Sequence, residues 1–283
     1  MIYLLTMVLC IVAFMQTLRY GQLRELHVYS VIAVNYVVAT AAVFGVSGLH
    51  TITGTLPMPW HSVAAGAATG ALYFTHILIT LGCFRTAGVG VTVAVGGCSL
   101  IIPAVVGWAV WEESMTVYRW IALVLVPPAT WIMRPGNGMR PRLTLVSDAL
   151  LFANFAAAGL VSTMQKYADV HFFAESKEVF KVSLFGFAAV CSIVFTLLRK
   201  LPLRRRDVGV GVVLGLINAA SLIFTLLALQ VIASVVLFPT SMCLVICINT
   251  ALSRFLWKER LKPRQYVGIA FAMLIIVLIN LPG

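Results

Sequence analysis

Apolar residues run through this chain in long unbroken stretches separated by short polar turns. Ten stretches read as membrane spans, near 2–18, 28–47, 61–83, 87–110, 117–133, 147–165, 179–198, 208–230, 232–256 and 265–281. Crossing the hydrocarbon layer takes about 20 apolar residues as helix. A β-barrel would need alternating apolar and polar residues, and these runs are solidly apolar. Inside hydrocarbon the backbone has no water to bond, so each run must satisfy its own amides as helix. The pattern predicts an all-α integral membrane protein with ten transmembrane helices.

The stretches fall into two groups of five that rhyme. The fourth run of the first group leads into Trp111-Glu112-Glu113 and then Arg119-Trp120. The fourth run of the second leads into Trp257-Lys258-Glu259 and then Gln265-Tyr266. Trp111 with Trp257 and Glu113 with Glu259 share one offset of 146. The group starts also correspond: Met15-Gln16 precedes Arg19-Tyr20, and Met164-Gln165 precedes Lys166-Tyr167. An odd number of spans makes the second group enter the membrane from the opposite side. The expected domains are therefore two inverted five-helix repeats, 1–134 and 147–283, joined by a linker at 135–146. Pro135-Gly136-Asn137-Gly138 and Pro141 break helix there. Inverted repeats are how many secondary transporters build two-sided access to one site.

Charge sets the expected topology. The 283 residues are 61% hydrophobic and 10% charged, with 20 basic and 9 acidic side chains and a net charge of +11. Sixteen of the basic residues lie after the odd-numbered spans: Arg19 and Arg24; Arg85; Arg134, Arg140 and Arg142; Arg199, Lys200, Arg204, Arg205 and Arg206; and five between Arg254 and Arg264. The other side holds Arg119, Lys166, Lys177 and Lys181. Positive loops stay in the cytoplasm, so both termini are expected outside, in a multi-pass protein of a bacterial inner (plasma) membrane. The first run has no basic residue before it and reads as a retained helix, not a leader. The positive charge is spread over five loops, which fits contact with anionic lipid and not nucleic acid. Six cysteines lie in or at the ends of spans. Cys243 and Cys247 share a helix face without further ligands, so packing thiols are expected, with no metal and no cofactor.

Polar residues inside spans are costly and mark a cavity or a helix partner. In span three Thr69, Tyr73, His76 and Thr80 share one face, beside a Gly66–Gly70 pair spaced for close helix contact. Span eight carries Asn218, Ser221 and Thr225 at similar spacing, and span six carries Asn154. The expected substrate-binding set is Tyr73, His76, Asn154, Asn218, Ser221 and Thr225. Gln16, Glu113 and Gln165, near span ends, are the gating or coupling candidates. For each, the competing role is hydrogen bonding within the bundle. Asn35 and Asn249 are further intramembrane amides with no assigned role. Acidic residues lie at span ends and none lies mid-span, which favours a neutral or zwitterionic substrate over a strongly cationic one. Glycines 88, 90, 96, 97 and 107 with Pro103, Pro127-Pro128 and Pro239 offer kink points.

Ten spans in two halves, each with a long fourth span ending in Trp-x-Glu, resemble the drug/metabolite transporter superfamily, in particular its EamA-like branch. Trp257-Lys258-Glu259-Arg260-Leu261 matches the family's turn closely; Trp111-Glu112-Glu113-Ser114-Met115 departs from it at Ser114. The chain also lacks the basic cytoplasmic tail common in that family, and its charge bias places the termini opposite to the family's usual orientation. The resemblance implies a central pocket between spans one, three, four, six, eight and nine. The expected activity is alternating-access transport of a small metabolite, by a monomer or homodimer in contact with membrane lipid. The spans hold no His-x-x-x-His, paired Asp or Gly-x-Ser-x-Gly, so an enzyme is not expected. A non-transporting or lipid-handling membrane protein is the alternative.

Overall fold

The computed structural model describes residues 1–24, 26–47, 59–87, 89–133, 145–255 and 263–281. Among them are eleven helices: α1 (Ile2–Leu23), α2 (Val28–Ser47), α3 (Trp60–Thr86), α4 (Val89–Cys98), α5 (Ile101–Trp111), α6 (Val117–Met133), α7 (Leu145–His171), α8 (Ala174–Leu198), α9 (Arg205–Leu229), α10 (Ser234–Phe255) and α11 (Pro263–Asn280). No strand occurs among the described residues. Each apolar stretch in the sequence is helical. Five helices, α2, α3, α7, α8 and α9, are long and apolar enough to cross a membrane. Shorter apolar stretches occupy Ile2–Leu18, Val95–Trp111, Val117–Ala129, Ser234–Asn249 and Tyr266–Leu278. The Trp257-Lys258-Glu259 signature and most of the 135–146 linker lie outside the described residues.

The fourth stretch differs from the expected single span. It breaks at Ser99-Leu100, between α4 and α5. Pro103 has no N–H for the Ser99 carbonyl, and its ring crowds that oxygen. The Ser99 oxygen instead accepts from Ile102 N at 3.0 Å, and Ser99 N and Leu100 N tighten onto Gly96 and Gly97. The Pro127-Pro128 pair and Pro239 sit inside continuous helices.

Packing divides the chain into two units, each drawn from both halves of the sequence. Unit 1 is Met1–Thr75 with Met164–Ala228; unit 2 is His76–Thr163 with Leu229–Gly283. In unit 1, α2 packs on α8 around the fully buried Ile32, Ala39, Val43, Phe180, Leu184 and Phe185. Two pairs of glycines let backbones meet. A Cβ at Gly66 would lie 2.7 Å from the Phe180 carbonyl oxygen, and one at Gly70 would strike the Leu184 carbonyl oxygen, so α3 crosses α8 at backbone contact. A Cβ at Gly211 would lie 2.6 Å from Val34 Cβ, and one at Gly215 would lie 2.6 Å from the Asn35 carbonyl oxygen, so α9 crosses α2 in the same manner. The second pair follows the first at an offset of 145 (66 to 211, 70 to 215).

In unit 2, α6 packs on α11, α5 on α10, α4 on α6 and α10 on α11. Ala122, Val126, Ala129, Met242, Cys243 and Ile275 form its largest core cluster.

Two carboxylates fix helix starts, where backbone N–H groups lack intrahelical partners. Asp207, fully buried, accepts from Arg204 N at 3.1 Å and His27 N at 3.2 Å, tying the starts of α9 and α2. Glu113 does the same for α10, as described below.

Candidate functional site

Several of the sequence-predicted residues meet one another, within each unit separately. In unit 1, Tyr73 stands on α3 one turn beyond the Gly66–Gly70 crossing. Gln165 Nε2, on α7, donates to the Tyr73 hydroxyl at 2.5 Å. The Tyr73 ring meets Phe185 edge-on at 6.4 Å, and Tyr36 approaches the same ring at 6.5 Å. Thus Tyr73 and Gln165, assigned separately to binding and gating, are bonded to each other.

On α9, Asn218 Nδ2 donates to Asn35 Oδ1 at 3.3 Å. Asn35 is 1% exposed, and its Nδ2 has no hydrogen-bond partner among the described residues. A buried donor left unmade costs about 1–3 kcal/mol, so this amide marks a place for an acceptor. The Asn35–Asn218 pair rests on the close approach at Gly215. Ser221 is half-buried. Thr225 turns its hydroxyl onto the Ser221 carbonyl at 2.7 Å and Thr69 onto Ala65 at 2.7 Å, so both satisfy themselves within their own helices. Gln16 lies half-buried on α1.

In unit 2, His76 and Asn154 are brought together, hydrogen-bonded side chain to side chain. Thr80 joins them, donating to Asn154 Oδ1 at 2.7 Å, with its own helix carbonyl at His76 as a second acceptor at 2.9 Å. Asn154 is 2% exposed. A Cβ on Gly96 of α4 would lie 3.3 Å from Asn154 Nδ2, so that glycine leaves the amide its room.

Glu113 acts as a helix cap. Its Oε1 accepts from Ser234 N at 3.0 Å, and its Oε2 accepts from Val235 N at 3.0 Å and Ser234 Oγ at 2.7 Å. Ser234 and Val235 are fully buried. A carboxylate on the otherwise unpaired amides of a positive helix end is strongly favoured. Gly107 is required beside it, because a Cβ there would strike Ser234 Oγ and lie 2.8 Å from Glu113 Oε2.

Sequence reasoning passed over four positions. Thr80 was on the stripe but unassigned, and Asn35 had no assigned role. Gly211 and Gly215 were legible as the same small-residue spacing already noted at Gly66 and Gly70. At the end of unit 1 charges pair: Lys181 Nζ on Glu178 at 2.6 Å, Glu178 with the Ser47 hydroxyl, and Lys177 Nζ on Asp169 at 2.8 Å.

No protein-family model and no curated protein matches the chain. Among solved structures 28 chains match. One, the crystal structure of a protein, is 11% identical, with a TM-score of 0.79 over 99% of this chain and 95% of that one. At that identity the likeness is one of fold alone: an arrangement of helices over nearly the whole chain that recurs in a protein solved by crystallography.

Proposed function

We propose that this chain is a secondary transporter of the drug/metabolite type. It would have ten spans in two inverted five-helix repeats and move a small neutral or zwitterionic metabolite by alternating access around a central cavity. One observation carries the reading: glycine crossings and polar stripes repeat together. The Gly66–Gly70 and Gly211–Gly215 pairs are followed, at the same offset of 145, by Tyr73 and Asn218, His76 and Ser221, Thr80 and Thr225. Two corresponding helices thus each pack by a small-residue stripe and carry polar groups one turn further on. A carrier whose halves exchange roles between two access states needs such a pair.

In this reading Tyr73, His76, Asn154 and Asn218 contact substrate, Asn35 joins them through its unpartnered donor, and Gln16 and Gln165 act at the gates. Ser221 and Thr225 line the stripe. Glu113 holds α10 in place. Unit 1 offers amides, a hydroxyl and aromatic rings and unit 2 an imidazole, an amide and a hydroxyl; either set suits a ligand with hydrogen-bond acceptors and little net charge.

The alternative, a lipid-handling protein, is favoured by a different observation. An apolar groove of about 310 Å³ runs between α2 and α8, lined by Val37, Thr40, Ala41, Phe44, Gly186 and Ala189.

The test is thermal unfolding of the purified protein against amino acids, nucleosides, sugars, amines and anions, followed by flux of any hit in proteoliposomes. A ligand binding only the folded state adds roughly 2.7 kcal/mol at a hundred times its Kd. A hit that is transported, and whose shift shrinks in Asn154→Ala and Asn218→Ala, is the expected result. No shift and no flux across the panel would end the carrier reading in favour of lipid handling.

A further inference from the structure

We infer that the groove where α5 turns into α6 binds the zwitterionic headgroup of a phospholipid, with Glu112 and Trp108 taking its ammonium and Arg119 its phosphate. The inference rests on the membrane reading and is independent of transport. The groove, about 500 Å³, is lined by Trp108, Ala109, Glu112, Glu113, Ser114 and Met115, all in unit 2.

Its two carboxylates differ. Both oxygens of Glu113 are engaged by the start of α10. Glu112 is exposed, and no described residue pairs with its carboxylate. Trp108, 44% exposed, meets Trp120 edge-on at 5.2 Å and 77°. A carboxylate and a part-exposed indole lining one groove are groups that can hold an ammonium. Arg119 bonds a lining residue: its Nη1 donates to Ser114 O at 2.5 Å and Ser114 Oγ at 2.8 Å. That anchors a guanidinium, which recognises phosphate oxygens, next to the groove. A carboxylate in the groove and a guanidinium bonded to its Ser114 fit a ligand carrying both charges.

Backbone geometry leaves the Glu112 side chain without a structural duty in the turn. Glu112 closes α5 in the left-handed region at φ 52°, and its N–H bonds Gly107 O. Glycine or asparagine normally fills such a position. The turn needs the conformation and not the carboxylate, so the fold leaves a glutamate here unexplained, while an ammonium ligand explains it. The apolar stretches Val95–Trp111 and Val117–Ala129 flank the turn; if both cross the membrane, the turn lies where tryptophans and lipid headgroups meet.

The experiment is native mass spectrometry of the full chain with phosphatidylethanolamine and phosphatidylglycerol supplied equally. Wild type should retain phosphatidylethanolamine preferentially. Glu112→Gln should cut that preference roughly tenfold, the size of one charge-assisted hydrogen bond. Glu112→Gly, which suits the left-handed turn, should lose the preference equally while unfolding at no lower temperature, separating lost binding from lost fold. Equal retention of the two lipids by wild type, or an unchanged preference in Glu112→Gln, would overturn the site. A thermal shift with soluble phosphoethanolamine in lipid-free detergent that Glu112→Gln abolishes would make a free zwitterion the ligand and overturn the lipid assignment. Because the readout is lipid retention and not flux, failure of the transport reading leaves the outcome interpretable.

Discussion

Gly70→Ala destabilises the purified protein by roughly 3 kcal/mol, near the upper end for overpacking a tight contact. The added Cβ meets the Leu184 carbonyl oxygen head-on and lies 3.0 Å from Ala188 N. Those atoms belong to the backbone of α8, so no side chain can rotate away, and α3 and α8 must separate. Gly45→Ala is the matched control, because a Cβ there meets nothing within 4 Å; it should stay within about 0.5 kcal/mol of wild type, as surface changes do. Thermal unfolding of both variants in one detergent checks the pair. Equal stabilities would mean that the crossing is looser than a backbone contact. Gly215→Ala, at the glycine crossing of α9 on α2, should resemble Gly70→Ala and not the control, because its Cβ would lie 2.6 Å from the Asn35 carbonyl oxygen.

Glu113→Ala is expected to cost about 3 kcal/mol, by a different route. It strips the partners from Ser234 N, Val235 N and Ser234 Oγ, two residues without solvent exposure. Each buried donor without an acceptor costs about 1–3 kcal/mol, and water entering the space left by the side chain recovers part of it. Glu113→Gln keeps one acceptor oxygen and should lose about half as much. Glu112→Gln changes net charge equally without touching α10 and should be near neutral in stability. Thermal unfolding separates the three. If Glu113→Gln kept full stability and lost solute flux, the carboxylate would be a coupling group and not a cap.

Much of the helical layout was legible because hydrophobicity and length are local properties. Ile2–Leu23, Val28–Ser47 and Val117–Met133 follow the apolar runs to within a few residues, since backbone in hydrocarbon has little choice but helix. Even the break at Ser99-Leu100 had a local sign in Pro103. The candidate site was legible in part. His76 and Asn154 were chosen as costly polar residues inside apolar runs, and they meet. Thr225 was chosen for the same reason, yet bonds its own helix at Ser221. Polarity alone does not say whether a hydroxyl turns to a cavity or back to its own backbone.

The sequence by itself determined the all-helical build, the ten apolar stretches and the positions where polar groups interrupt them. These depend on the composition of each segment against a hydrocarbon solvent. Tertiary structure alone decided which groups meet. The partner of Glu113 lies 121 residues along the chain at Ser234, and that of Asn218 lies 183 residues away at Asn35. It also decided that Gly211 and Gly215 mark a crossing and not a kink, because a glycine's role depends on the atoms that approach it. Those contacts form only when separate helices pack, and no pattern along one helix encodes which neighbour it will have.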